Sequence, residues 1–251
     1  MGTLAGKTAV IVGASGTRNF GSVIARRLAA EGANVVVSAR RAEPLQALAK
    51  ATAGLAVACD VTDESQLEGL FAAARKHYGN VDIAIYSAGI HAGATIAELT
   101  AEAIRPTLEI SFIGALLFFK HAAAAMDKGG SVVTISSLTA RIPGPGLAVY
   151  SGARAGIDYA IKVAAVEYAE RRVRFNSIAA GLIRTDMTDA FFDMEPVIQG
   201  HLRETPAGRM GTLEDMAEAA LFLADEGRSG YINGQVLDLA GGQQMGRLPR
   251  F

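Results

Sequence analysis

The sequence predicts an α/β fold, a doubly wound, mostly parallel sheet of seven strands with helices on both faces, in a single domain. Three observations carry this. Short apolar runs rich in Val and Ile alternate with longer helical patterns along the chain. Those runs show little polar/apolar alternation, as strands covered on both faces do. The 251 residues, half of them hydrophobic, fill such a sheet with no repeat, linker or low-complexity tract left for a second unit.

Taken in order, the strands are Thr8–Val12, Asn34–Ser38, Ala56–Cys59, Ile83–Ser87, Val132–Ile135, Arg174–Ile178 and Gln235–Leu239. Each is four or five residues of mainly β-branched or small apolar type. The helices between them are Gly21–Glu31, Leu45–Lys50, Glu64–Tyr78, Ala103–Met126, Ser151–Glu170 and Glu214–Ala224, with apolar residues at helical spacing and many Ala, Leu, Glu and Arg. The least regular stretch is 181–211. It holds Pro196, Pro206 and the Phe191–Phe192 pair, and its part from about 186 to 211 is read as a lid over a site.

Lys plus Arg number 24 against 25 for Asp plus Glu, which gives no nucleic-acid footprint. The single cysteine, Cys59, allows no disulfide and fits a reducing compartment; it reads as a small buried residue at a strand end. The longest apolar run, Phe112–Phe119, is far short of the ~20 residues that cross a bilayer. The opening MGTLAGKTAV lacks the layout of a secretory leader, so a cytoplasmic location and no membrane partner are expected. His77, His91, His121 and His201 show no metal-ligand spacing, and no metal is expected. His91, just after Gly89-Ile90, reads as a surface-loop histidine, with a place bordering the substrate as the sharper alternative.

Two segments carry chemistry. After the first strand comes Gly13-Ala-Ser15-Gly16-Thr-Arg18-Asn19-Phe20-Gly21 and then a helix. A small-residue turn there lets backbone amides approach a pyrophosphate, and the helix N-terminus adds partial positive charge. The fifth strand runs into Ser136-Ser137, and thirteen residues later comes Tyr150-Ser-Gly-Ala-Arg154. Tyr150 and Arg154, at i and i+4, share a helical face.

Ser137 with Tyr150-x-x-x-Arg154 resembles the Ser…Tyr-x-x-x-Lys set of the short-chain dehydrogenase/reductase family, with arginine for lysine. The resemblance covers essentially the whole chain and implies a Rossmann-type nucleotide-binding fold. The loop departs from the usual glycine spacing: two residues are inserted, and Asn19 stands where the middle glycine would be, as in the enoyl-acyl-carrier reductase branch. That branch separates its tyrosine and lysine more widely, and no lysine lies at that distance after Tyr150. Asp60-Val61 is similar to the family's adenine-contacting pair. Ala88-Gly89 matches the end of its Asn-Asn-Ala-Gly motif, with Tyr86-Ser87 in front. Gly181, Ile183 and Thr185 fall in its stretch beside the nicotinamide. Gly13, Ser15, Arg18, Asn19, Phe20, Tyr150 and Arg154 complete the cofactor set that the resemblance implies.

The second strand ends Ser38-Ala39-Arg40-Arg41. An acidic residue at position 39 would bond a ribose 2′-hydroxyl. Alanine followed by Arg40, with Arg18 in the first loop, favours NADP(H) over NAD(H), because guanidinium pairs well with a 2′-phosphate.

The resemblance implies carbonyl reduction or alcohol oxidation, EC 1.1.1-like. Tyr150 is the general acid, Ser137 bonds the same oxygen, and the cation at 154 holds the ribose and favours the phenolate. Lowering a phenol from ~10 to ~7 takes about 4 kcal/mol. One cation at ~6 Å and an effective dielectric of ~20 supplies roughly 3 kcal/mol. Arg154 therefore replaces lysine as a charge but not as a proton relay, since guanidinium keeps its protons. Where the family often places a relay asparagine, this chain has Ser111, which the resemblance adds to Ser137, Tyr150 and Arg154 in the catalytic set. Two alternatives follow from these changes: a non-redox catalyst (isomerase, lyase or cyclase) on the same scaffold, or a non-catalytic nucleotide-binding subunit. Met187, Phe191, Phe192, Met194 and Met210 hint at an apolar or aromatic small-molecule substrate. The family's packing of its two long helices between subunits implies a homodimer or homotetramer.

Overall fold

The computed structural model describes residues 2–91 and 93–245. Seven strands form one sheet: β1 (Thr8–Val12), β2 (Asn34–Ala39), β3 (Leu55–Ala58), β4 (Ile83–Tyr86), β5 (Gly130–Ser137), β6 (Val173–Ala180) and β7 (Val236–Leu239). All neighbours are parallel, in the order β3-β2-β1-β4-β5-β6-β7. The order reverses between β1 and β4, so the loops leaving their C-terminal ends diverge and open the crevice where such sheets bind ligands.

Helices α1 (Phe20–Ala30), α2 (Ala42–Thr52) and α3 (Glu64–Tyr78) follow the first three strands. After β4 come α4 (Ala101–Leu108) and α5 (Gly114–Ala125); α6 (Ala148–Glu167) lies between β5 and β6. Beyond β6 lie α7 (Asp189–Phe192), α8 (Glu195–Glu204), α9 (Leu213–Ala224) and α10 (Glu226–Ser229). The period of two in β1 sends Val10 and Val12 into the core under α3, α5 and α6, and Ile11 into the core under α1, α2 and α9. Both layers are apolar, which is why the strands read as continuous hydrophobic runs.

Four differences from the sequence reading bear on the site. β5 and β6 run on to Ser137 and Ala180, which pair with each other, so Ser137 sits at a strand tip held by the ladder. Helix α6 starts at Ala148, which puts Tyr150 inside its first turn rather than ahead of the helix. The long helix expected over 103–126 is split by a π turn, Glu109–Ile113, that contains Ser111. The least regular stretch, 181–211, holds two helices, α7 and α8, within the lid. Phe191 and Met194 are exposed there while Phe192 is half-buried against the Arg184 guanidinium.

By length and mean hydropathy the run Ala101–Ala125 could cross a membrane, contrary to the impression left by the shorter apolar run Phe112–Phe119. Its Phe118, Phe119 and Ala122 are nevertheless buried in the core beside Phe71 and Phe175.

Candidate active site

The site is built at the C-terminal ends of β1, β4 and β5. Tyr150 is half-buried in the first turn of α6, and Arg154, one turn on, is 5% exposed. The guanidinium lies 5.2 Å from the centre of the Tyr150 ring. Its Nη1 donates to the Ile135 carbonyl at 2.8 Å, two residues before Ser137. A Cβ added at Gly89 would fall 2.1 Å from its Nη2, so only glycine lets the β4 loop approach this cation. The Arg154 Nε is buried without a partner among the described residues. The structure thus brings Tyr150, Arg154, Gly89 and the end of β5 together.

Ser137 is 8% exposed, and its Oγ accepts from the Thr139 N–H (3.2 Å) and the Thr139 hydroxyl (3.0 Å). Among the described residues its own hydroxyl proton has no acceptor. Ser111 is fully buried, and its hydroxyl has no partner among the described residues. The π turn around it has a visible cause. The buried Tyr86 hydroxyl donates to the Ile110 carbonyl that the turn frees. Gly114 also lies so close that a Cβ there would reach the Val61 carbonyl at 2.8 Å and the Tyr86 hydroxyl at 2.9 Å. Burial pushes the Tyr86 phenol well above its ordinary range, so it stays protonated as a donor.

The glycine-rich loop fits a dinucleotide by the space it leaves. Gly13 has φ +79°, and a Cβ at Gly21 would meet the Gly13 carbonyl oxygen at 2.7 Å. These two glycines let the N-terminus of α1 close on the turn after β1. Asn19 caps that helix: its side chain accepts from the Ser22 N–H at 2.7 Å. Phe20 opens α1 and packs on the core.

Three arginines lie in or beside this region. Arg41 bends over it, its Nη2 donating to the Ser15 carbonyl at 2.9 Å. Arg40 lies near Asp60, whose carboxyl sits below the usual range chiefly because the Thr62 N–H bonds it, with Arg40 adding to the effect. Arg18 is drawn the other way. It pairs with Asp189 at 2.6 Å, and its backbone N–H donates to Asp186 at 3.2 Å. The lid's two carboxylates hold Arg18, which the sequence reading offered as a second contact for a 2′-phosphate, on their side of the loop.

The remaining residues of the expected cofactor set fall where the sheet puts them. Val61 is buried after β3, and Ala88 is half-buried after β4, packed on the same core. Gly181 leaves β6 against Ala240, with 3.0 Å between an added Cβ and the Ala240 Cα. Ile183 is buried in a parallel bridge to Gly211. The Thr185 N–H donates to the Thr188 hydroxyl at 2.9 Å, which itself donates to the Ile183 carbonyl at 2.6 Å. A cavity of about 190 Å³ between Gly181, Thr205, Met210 and Gln243 touches neither Tyr150 nor Ser137. Among the described residues no cluster of His, Cys, Asp or Glu forms a metal site.

A family model described as enoyl-(acyl carrier protein) reductase matches residues 13–244. The chain belongs to the short-chain dehydrogenase/reductase family. An uncharacterized oxidoreductase of Mycobacterium bovis is 37% identical over 94% of this chain and 96% of its own length. Carbonyl reductase family member 4 of Xenopus laevis is 34% identical, covering 92% of this chain and 95% of its own. The 3-oxoacyl-(acyl-carrier-protein) reductase of Escherichia coli is 34% identical over 96% and 98%. A solved structure provisionally assigned as a short-chain alcohol dehydrogenase of Sinorhizobium meliloti superposes with TM-score 0.90 at 30% identity, covering 97% of this chain and 98% of that one.

The chain is thus an oxidoreductase of the short-chain dehydrogenase/reductase kind, in a family that uses nicotinamide cofactors. Two residues at its site escaped the sequence reading of this family's pattern, and the structure brings a third, His91, to the place the sequence offered as its alternative. Arg41, rather than Arg40, reaches the glycine-rich loop. Tyr86, in place of an asparagine, braces the π turn. His91 stands against Tyr150, their ring centres 5.4 Å apart and the planes inclined by 73°.

Proposed function

We propose that this protein is an NADP(H)-dependent reductase of a small-molecule carbonyl, or the corresponding alcohol dehydrogenase, with Tyr150, Ser137 and Arg154 as its working groups. The observation that carries the reading is the buried Arg154 guanidinium, seated between the Tyr150 ring, the Ile135 carbonyl and Gly89. A buried cation beside a half-exposed phenol favours the anion that remains once the phenol has given up its proton.

A bound reduced nicotinamide supplies the hydride. The chain's residues do the rest. Gly13, Ser15, Asn19 and Phe20 shape the pyrophosphate cradle; Asp60, Val61, Ala88 and Gly89 flank the adenosine and ribose; Gly181, Ile183 and Thr185 border the nicotinamide. Arg154, with its unpartnered Nε, holds the ribose. Ser137 donates to the substrate oxygen, and Tyr150 delivers the proton that turns a developing alkoxide into an alcohol. Ser111, buried with its hydroxyl unpartnered among the described residues, stands where the family often has its relay asparagine and completes the set. Arg40 and Arg41, with alanine at position 39, support the choice of NADP(H).

The four-residue spacing from Tyr150 to Arg154 favours ketone over enoyl reduction, and the apolar lid favours an apolar or aromatic substrate. A cytoplasmic homodimer or homotetramer is part of the same reading. Ile113 and Leu116 on the α4–α5 run and Tyr159, Val163 and Val166 on α6 leave exposed apolar surface. The test is NADPH oxidation against a panel of ketones and aldehydes. Tyr150→Phe should lower kcat about 10²–10⁴-fold, the span of a general acid's contribution. A variant with full activity would sink the proposal.

A further inference from the structure

Position 154 carries arginine where the resembled family has lysine. Arg154 cannot pass a proton on, because guanidinium does not deprotonate in the working range. Ser111 is fully buried, and the Tyr86 hydroxyl near it donates to the Ile110 carbonyl. A Tyr150 that has delivered its proton therefore cannot be resupplied by the residue at 154.

On the open side of Tyr150 stands His91, solvent-exposed. Its ring meets the tyrosine ring edge-to-face with centres 5.4 Å apart, a contact that holds the imidazole beside the phenol. Its loop is pinned from across the site. The Ala94 N–H donates to the Gly146 carbonyl at 3.1 Å, and Gly93 lies between that carbonyl and the imidazole. The titratable and charged groups facing His91 are Tyr150 and, behind it, Arg154, both on α6. The β5–α6 loop presents the Gly146 carbonyl, and the residues beside His91 on its own loop, Ile90 and Gly93, carry no charge.

We propose that His91 returns the proton to Tyr150, replacing the lysine relay with an imidazole that exchanges protons directly with solvent. The inference rests on Tyr150 being the acid of the reaction. The step balances within the chain. An imidazolium N–H bond breaks and the phenolate gains an O–H bond, leaving neutral imidazole and neutral phenol. Water then reprotonates the imidazole. Histidine suits the task because an imidazolium donates a proton and the neutral ring nitrogen accepts one.

The experiment compares wild type, His91→Gln and His91→Phe in steady-state NADPH oxidation across pH, with and without added imidazole. In His91→Gln, kcat should fall at least about ten-fold with KM nearly unchanged, in the range of acid–base contributions. The pH profile should lose the limb that lies where imidazoles titrate, and free imidazole should restore part of the rate. A second readout needs no turnover: His91 ring resonances, followed by NMR, should show a titration midpoint that moves between wild type and Tyr150→Phe.

Unchanged kcat, or a loss confined to KM that imidazole does not rescue, would overturn the role for His91 while leaving the reductase reading intact. An unmoved NMR midpoint would overturn the proton coupling itself. A wild type that oxidises NADPH with no carbonyl tested would overturn the reductase reading, and the role of His91 with it.

Discussion

The charge of Arg154 can be removed while much of its bulk is kept, by Arg154→Met, and the cost follows from the geometry. The guanidinium carbon is 5.2 Å from the Tyr150 ring centre. At an effective dielectric of ~20, a unit cation at that range stabilises a phenolate by about 3 kcal/mol. That corresponds to roughly a hundred-fold or slightly more in rate, at 1.36 kcal/mol per decade. Arg154→Lys keeps a charge in the same seat and should stay within about ten-fold of wild type by the same arithmetic. The substitution also has a structural cost. The Ile135 carbonyl loses its charged donor, and an acceptor left unpaired inside a protein costs about 1–3 kcal/mol. In a chain of this length each kcal/mol moves Tm by roughly 2–4 °C. Thermal melts therefore accompany the assay, which is kcat for NADPH-driven reduction under conditions where every variant is folded. A folded Arg154→Met with kcat within about three-fold of wild type would refute the argument, since no cation would then be needed beside Tyr150.

Arg41→Ala should weaken NADPH about 10–100-fold, the worth of one charge-assisted contact of ~1.5–3 kcal/mol, and leave NADH unchanged; fluorescence titration with both nucleotides checks it, and an equal loss for both would assign Arg41 to the loop alone. Asp158, on the buried face of α6, is 8% exposed, accepts from the Ser177 hydroxyl at 2.8 Å, and burial raises its carboxyl above the ordinary range. A folded-state value above the unfolded one means stability that is complete below the unfolded range and lost as pH rises through the folded one. Asp158→Asn should therefore raise Tm at pH 7–8 relative to wild type and give no such gain near pH 3, as scanning calorimetry would show. Val163→Asp places a charge among the exposed Tyr159, Val163 and Val166 on α6. Sedimentation velocity should find wild type at a multiple of 26.1 kDa and this variant shifted to monomer; an unshifted variant would move the interface elsewhere.

The sheet was legible in the sequence because burial on both faces leaves continuous apolar runs, and every expected strand is present to within three residues at either end. The tyrosine–cation pair was legible because helical geometry alone puts i and i+4 on one face. What escaped depends on contacts between distant parts of the chain. The π turn exists because Tyr86, 24 residues earlier, donates to Ile110 and because Gly114 can lie against the Val61 carbonyl. Arg18 looked free in the sequence, but Asp186 and Asp189 come to it from 168 and 171 residues away. Arg40 and Arg41 are adjacent in sequence, and only the folded strand end decides which of them turns over the loop. Asn19 did carry a signal that went unused. An asparagine directly ahead of a helical pattern is a strong N-cap residue, and it explains how the loop ends without its middle glycine.

The departures from the family pattern are coupled. A lysine at position 154 would need a path for its proton, and a relay asparagine near 111 would need an open turn to hold it. With arginine at 154 that path has no use, and the turn holds instead the Tyr86 hydroxyl, kept protonated by burial and donating to the Ile110 carbonyl, with a small, buried Ser111 inside. A buried guanidinium needs fixed acceptors, and the Ile135 carbonyl supplies one at 2.8 Å. A single reversion to lysine therefore leaves Tyr86 and Ser111 as they are. In the reading proposed above, the cation supports Tyr150 electrostatically while protons travel on the solvent-facing side, where the exposed His91 ring lies.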